Sequence, residues 1–144
     1  HDKKIALSLS DLFCVDRHRL DFLELIEKYI NVIFANEHEI KSLYQLDLKE
    51  SIDNIKNKVD IGAITLGSKG AIVFKEKADY HIDPIPVEEL IDTTGAGDLF
   101  ASGFLFGLIN EYSIEECGLL GNKAASEIIK YIGARPKILL KSIL

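Results

Sequence analysis

Short runs of β-branched and aromatic residues alternate with segments of helical periodicity along this chain of 144 residues. The runs predict strands at residues 5–9, 31–35, 61–66, 71–75 and 79–82. The periodic segments predict helices at 19–30, around Ile40 and Leu43, at 48–58, 98–110 and 113–132. Alternation of this kind is typical of an α/β fold, in which helices cover both faces of a mostly parallel sheet.

Such sheets bind ligands beyond the carboxyl ends of their strands, and Asn36, Thr65 and Asp92 each follow a strand or extended segment. We therefore expect these three residues to gather at one edge.

Residues 92–98 form the densest cluster of chemically suggestive side chains. They read Asp-Thr-Thr-Gly-Ala-Gly-Asp and run directly into the apolar Leu99 and Phe100. Glycine permits backbone conformations and close approaches that a Cβ atom would block. The first N–H groups of a helix lack partners within it, and together with the helix dipole they form an anion site. Asp98 would place a carboxylate beside that anion, an arrangement that suits phosphoryl transfer.

Residues 92–100 closely resemble the signature of the ribokinase-like (PfkB) sugar and nucleoside kinases. The segment 36–39 is similar to the family's N-x-x-E motif and the segment 65–70 to its T-x-G-x-x-G nucleotide motif, in the same order. The resemblance covers the whole chain but only the C-terminal half of the family's protein. It implies a ribokinase-like three-layer α/β/α fold with a mostly parallel sheet. Residues 1–144 would be the C-terminal, nucleotide-binding and catalytic part, with the N-terminal substrate and lid part absent.

The resemblance implies the roles of the residues at the start of the predicted helix. Asp98 would be the general base, and the amides of Gly95, Ala96 and Gly97 would form an anion hole. We expect a branched side chain at Gly97 to crowd this turn. The alternative is an acid favoured by the helix dipole beside ordinary turn glycines.

The resemblance also implies two cation sites. Asp92 and Thr94, with carbonyls around Gly133 and Ala134, would hold a monovalent cation such as K⁺. The alternative is that the threonines are turn residues and Asp92 caps a strand. Glu39 would help to hold Mg²⁺ through water, since Mg²⁺ keeps several waters and takes ligands from phosphates. Asn36 would lie on the phosphate side, and both residues could equally form a helix capping box.

The nucleotide is expected to lie against two further groups of residues. Thr65, Gly67 and Gly70 would flank ATP, and Asn122, Ala125 and Ser126 match the family's adenine-side helix. Helix packing is the alternative for this second group. The sequence contains no G-x-x-x-x-G-K-[ST] motif, so it is not a P-loop NTPase.

These observations predict an ATP-dependent phosphotransferase. It would move the γ-phosphoryl of MgATP to a hydroxymethyl group of a small-molecule sugar or nucleoside. Residues 118–136 favour the bacterial adenosine-kinase-like branch, so an adenosine-like acceptor is preferred. This part alone is expected to be inactive. The competing hypothesis is a non-catalytic module that binds ATP or another anion.

Composition limits the other classes of partner. Acidic residues outnumber basic ones by 23 to 17, a net charge of −6 that argues against a nucleic-acid surface. No apolar run reaches the ~18 residues that a membrane span needs. Two widely separated cysteines suggest reduced thiols in a cytoplasmic protein. The chain begins with His1 and lacks methionine, so we expect a fragment of a longer protein, for which a homodimer is one allowed arrangement.

Overall fold

A computed structural model of the chain describes residues 3–139 and residue 142. Six helices, five strands and a 3₁₀ turn follow one another along these residues. In chain order the elements are β1 (Ala6–Ser8), α1 (Leu12–Arg17), α2 (Arg19–Tyr29), β2 (Val32–Asn36), α3 (Glu37–Tyr44), α4 (Leu48–Ile55), β3 (Ile61–Thr65), the 3₁₀ turn (Gly67–Lys69), β4 (Ala71–Lys75), β5 (Ala78–Ile82), α5 (Ala96–Ile109) and α6 (Ile114–Ile128).

The five strands form one sheet in the order β1-β2-β3-β4-β5, and β1, β2 and β3 are parallel. The predicted α/β class is therefore confirmed. Asn36 at the end of β2 is in register with Thr65 at the end of β3. These two residues lie at the same edge of the sheet, as the sequence predicts. Asp92 lies in residues 83–95, which contain no helix or strand, and its place at this edge stays a prediction.

The chain divides into two compact units. The first contains the residues up to Leu66 together with Ile72–Tyr80, and the second contains Gly67–Ala71 together with the residues from His81 onward. In the first unit the central strands are buried because their side chains are almost all apolar. Its core is built mainly from aliphatic side chains together with the ring of Phe74, including Val15, Ile26, Ile33, Ile40, Leu43, Ile55 and Ile64.

In the second unit, α5 packs closely against α6 through glycines. A Cβ atom built on Gly103 would lie only 2.5 Å from the carbonyl oxygen of Leu120, and one on Gly107 would lie 2.8 Å from the sulfur of Cys117. The spacing of these two glycines by one helical turn predicts such a close approach, and the structure confirms it. The absent side chains let the backbone of α6 come into contact with α5.

The predicted boundary of α6 is correct at its start and wrong at its end. Ser113 accepts a hydrogen bond from the amide of Glu116, whose carboxylate accepts one from the amide of Ser113, so the predicted capping box is present. The helix ends at Ile128 rather than near residue 132. Continuation would require the amide of Gly133 to donate to the carbonyl of Ile129. That carbonyl instead accepts from the amides of Ile91 and Asp92, and the amide of Gly133 donates to the Asp92 side chain.

Helix α1 is an element that the sequence patterns do not predict. It has only six residues, too few for a clear periodicity, and its Phe13 is 83% exposed. The carboxylate of Asp11 accepts a hydrogen bond of 2.9 Å from the amide of Cys14 and caps the helix. In the part of the chain that the structure describes, no helix combines the length and the apolar character needed to cross a membrane.

Candidate functional site

The second unit contains the turn that opens α5. Gly95 precedes the helix with φ 80° and ψ 0°, the values of the third residue of a type II turn. The amide of Ala96 donates to the carbonyl of Thr93 at 3.1 Å and closes that turn. A Cβ atom on Gly95 would lie 2.9 Å from the Cβ atom of Ala134. Both the backbone conformation and the neighbouring residue therefore require glycine here.

The first turn of α5 is open on the side of Gly97. A Cβ atom built on Gly97 would have no heavy atom within 4 Å outside the backbone of its own helix, so there is room for an alanine, and the expectation that a branched side chain would crowd the turn stays a prediction. Within the described residues, no backbone carbonyl accepts from the amides of Gly95 or Gly97, whereas the amide of Ala96 is engaged by Thr93. Asp98 is the third residue of the helix and is exposed. The turn therefore presents two unengaged amides close in sequence to an exposed carboxylate.

The carboxylate of Asp92 joins two segments that are far apart in sequence. Its Oδ1 atom accepts from the amide and the hydroxyl of Thr94 at 2.9 and 2.7 Å. Its Oδ2 atom accepts from the amide of Gly133 at 2.8 Å. These donors, the hydroxyl of Thr94 first, hold the pKa of Asp92 below its ordinary value. Asp92 and Thr94, two members of the predicted cation site, are thus in direct contact. Ala134, another member, follows Gly133 in the chain.

The first unit contains Asn36 and Glu39 as a complete capping box at the start of α3. The amide of Glu39 donates to the Asn36 side chain at 2.8 Å, and the backbone and side-chain N–H groups of Asn36 each donate to Glu39 at 2.9 Å. The capping alternative is therefore confirmed. Glu39 is only 5% exposed, and this burial raises the pKa of its carboxyl group.

The residues predicted to flank the nucleotide lie at the end of β3 and around the 3₁₀ turn. Thr65 ends β3, and its hydroxyl donates to the carbonyl of Ala35 at 3.5 Å. Gly67 begins the 3₁₀ turn with φ 60°, and Gly70 follows the turn with φ 87°. A Cβ atom on Gly70 would lie 2.0 Å from the carbonyl oxygen of Ile82, so only glycine fits there.

The residues predicted on the adenine side lie on α6 and make contacts within the second unit. The side-chain amide of Asn122, a residue that is 8% exposed, donates to the carbonyl of Asp83 at 2.8 Å. The hydroxyl of Ser126 donates to the carbonyl of Lys123 at 2.9 Å, and Ala125 is partly buried. These contacts support the helix-packing interpretation of Asn122. Its nucleotide role, and those of Ala125 and Ser126, stay predictions.

The sequence patterns do not predict that the backbone amide of Gly133 donates a hydrogen bond. They assign carbonyls of the 133–134 loop to a cation site, whereas the structure shows the amide of Gly133 donating to Asp92. No local signal could have revealed a contact between residues 41 positions apart. Over the residues that the structure describes, no three His, Cys, Asp or Glu side chains form a group that could hold a metal ion.

Comparison with known proteins agrees with this arrangement. Residues 3–140 match the family model described as the pfkB family carbohydrate kinase. The chain belongs to this family. A probable sugar kinase protein from Rhizobium etli is 43% identical with a TM-score of 0.96, and the adenosine kinase from Sinorhizobium meliloti is 39% identical with a TM-score of 0.96. The alignment covers 99% of this chain and 44% of the other in both comparisons.

Among curated PfkB relatives, a nucleoside kinase from Methanocaldococcus jannaschii is 35% identical over 116 residues, which are 81% of this chain and 38% of the relative. The chain therefore spans less than half the length of these relatives. The family match and the structural likeness confirm the resemblance to the ribokinase-like kinases and the fold class predicted from the sequence.

Proposed function

We propose that this chain is the nucleotide-binding and catalytic part of an ATP-dependent phosphotransferase. The reaction would move the γ-phosphoryl of MgATP to a hydroxymethyl group of a sugar or nucleoside. The observation that carries this proposal is the start of α5, where the unengaged amides of Gly95 and Gly97 are followed directly by the exposed Asp98. Membership of the pfkB family and similarity to a probable sugar kinase and a nucleoside kinase support it.

In the proposed reaction, Asp98 accepts the proton of the acceptor hydroxyl as that oxygen bonds to the γ-phosphorus, and the bond from the γ-phosphorus to the bridging oxygen breaks to release ADP. General-base help of this kind contributes roughly 10²–10⁴-fold to a rate. Negative charge accumulates on the oxygens of the transferring group, and the amides of Gly95 and Gly97 stabilise it at the positive end of the helix dipole. The Ala96 amide, which already donates to Thr93, keeps the turn closed.

The cation sites remain part of the proposal, and the residues present are chemically able to form them. Both oxygens of Glu39 accept hydrogen bonds from Asn36, and each retains a lone pair that could accept from a metal-bound water. When bound, Mg²⁺ would neutralise negative charge on the phosphates. Oxygen atoms of Asp92, Thr94 and Ala134 would hold K⁺.

The binding groups and the acceptor complete the proposal. Thr65, Gly67, Gly70, Asn122, Ala125 and Ser126 would contact ATP. An adenosine-like acceptor is preferred because an adenosine kinase is among the relatives that match 99% of the chain. A relative of equal coverage is a probable sugar kinase, so sugars belong in any test of the acceptor.

The experiment is a transfer assay on the natural gene product that contains this chain. The purified protein is incubated with MgATP, labelled in the γ-phosphoryl group, and with a panel of nucleosides and sugars. We expect label on one class of acceptor, with one ADP formed for each phosphoester. A folded protein that binds ATP but labels no acceptor would contradict the proposal and support the non-catalytic binding module.

A further inference from the structure

We infer that Asp92 is a positioning residue that holds the anion-binding turn at the start of α5 in place. Its carboxylate fastens the Thr93–Gly95 turn to the loop at Gly133 and Ala134. The inference rests on the proposed function of that turn. It adds a mechanical role for Asp92 that does not depend on a bound cation.

The hydrogen bonds of Asp92 divide between the two segments. One oxygen accepts from both donors of Thr94, inside the turn, and the other accepts from the amide of Gly133, 41 residues further along the chain. Among side-chain hydrogen bonds of the described residues, only those of Asp92 reach residues 93–97. A charged acceptor makes stronger hydrogen bonds than a neutral one, so this connection is a firm one.

Contacts on both sides of Asp92 restrict how the turn can move. The amides of Ile91 and Asp92 donate to the carbonyl of Ile129 at 2.9 and 3.3 Å, which fixes the chain before the turn. Gly95 lies so close to Ala134 that a Cβ atom could not be placed between them. A shift of the 133–134 loop would therefore move Gly95, and with it the direction of the amides at Gly95 and Gly97.

The substitution Asp92→Asn tests this connection with almost no change in shape. The asparagine side chain keeps one acceptor oxygen but replaces the other with an NH₂ group. Whichever way it is oriented, that NH₂ group faces either the donors of Thr94 or the amide of Gly133, so one half of the connection is lost. Thr94→Val is a milder second variant, because it removes the hydroxyl donor and keeps the Thr94 amide.

The sign of the change in ATP affinity separates positioning from simple electrostatics. Removing a negative charge beside an anion site should strengthen ATP binding by Coulomb's law. Loss of the amide positions should weaken it. We expect Asp92→Asn to raise the Kd for MgATP about tenfold, the scale of one lost charge-assisted hydrogen bond, and Thr94→Val to raise it less.

The measurement is an amide NMR titration with MgATP of the natural gene product that contains this chain, in a buffer free of K⁺, reading the signals of Gly95 and Gly97. The control is Asp47→Asn, which makes the same exchange at the cap of α4, where Asp47 accepts from the amide of Glu50 at 2.8 Å. Without ATP, we expect Asp92→Asn and Thr94→Val to shift the signal of Gly97, which is bonded to neither substituted residue, while signals of the first unit stay in place. Asp47→Asn should leave both glycine signals unchanged.

Two results would overturn the inference. One is an unchanged Gly97 signal in a folded Asp92→Asn or Thr94→Val protein, and the other is tighter ATP binding by both variants. If the unsubstituted chain shows no response of Gly95 and Gly97 to ATP, the proposed function of the turn fails instead. The comparison of the ATP-free spectra still decides whether Asp92 positions the turn, so the two failures can be told apart.

Discussion

At the scale of single residues, Gly95 and Gly97 look equivalent in the sequence but have different requirements in the structure. Gly95 has a positive φ and lies against Ala134, whereas a Cβ atom on Gly97 meets no atom within 4 Å outside the backbone of its own helix. We predict that Gly95→Ala lowers the free energy of unfolding by about 1–3 kcal/mol because of backbone strain and contact with Ala134. Gly97→Ala should leave stability equal or raise it by up to about 1 kcal/mol, since alanine favours helix.

Urea denaturation of the two variants and the unsubstituted chain measures this pair directly. Equal losses of stability in both variants would contradict the assigned backbone conformation. The sequence identifies both glycines as parts of a turn before a helix. It cannot distinguish them, because the difference depends on Ala134, which lies 39 positions from Gly95 along the chain.

At the scale of elements, the contact between α5 and α6 depends on Gly103. A Cβ atom there would lie 2.5 Å from the carbonyl oxygen of Leu120 in the backbone of α6. Alanine at a free helix position would add up to about 1 kcal/mol of stability. We predict instead that Gly103→Ala destabilises the chain by about 1–3 kcal/mol, because the two helices must move apart.

The matched control is Ser102→Ala, at an exposed position on the same helix, which should change stability by less than about 0.5 kcal/mol. Thermal and urea unfolding measure both variants. A Gly103→Ala chain as stable as the control would contradict the close packing of these helices.

The predicted elements are most accurate where the pattern is strong and least accurate where distant residues compete. Strands β2 and β3 and the Ser113 capping box follow from local apolar and polar patterns, and the structure has them. The early end of α6 does not follow from any local pattern. The carbonyl of Ile129 accepts hydrogen bonds from the amides of residues 91 and 92. The sequence of residues 113–132 alone does not show that these distant amides compete for this carbonyl.

At the scale of the whole molecule, the family could be recognised from three short motifs, because each places specific chemistry at a specific point of the fold. The match over residues 3–140 confirms that recognition. The acceptor follows less directly from this chain, because the chain spans 44% of the matched structures, and the preference for an adenosine-like acceptor from residues 118–136 stays a prediction. The Asp92–Gly133 contact and the open side of Gly97 likewise appear only in three dimensions.

The most direct test of the proposed chemistry is the turnover of the Asp98→Asn variant of the natural gene product. Since the side-chain amide of the asparagine cannot accept the proton, we predict that kcat falls by about 10²–10⁴-fold. The Kd for ATP should change by less than about threefold. Glu115→Gln, a change at an exposed acid in the first turn of α6, is the control and should keep full activity. Near-normal turnover by a folded Asp98→Asn protein would contradict the assignment of Asp98 as the base.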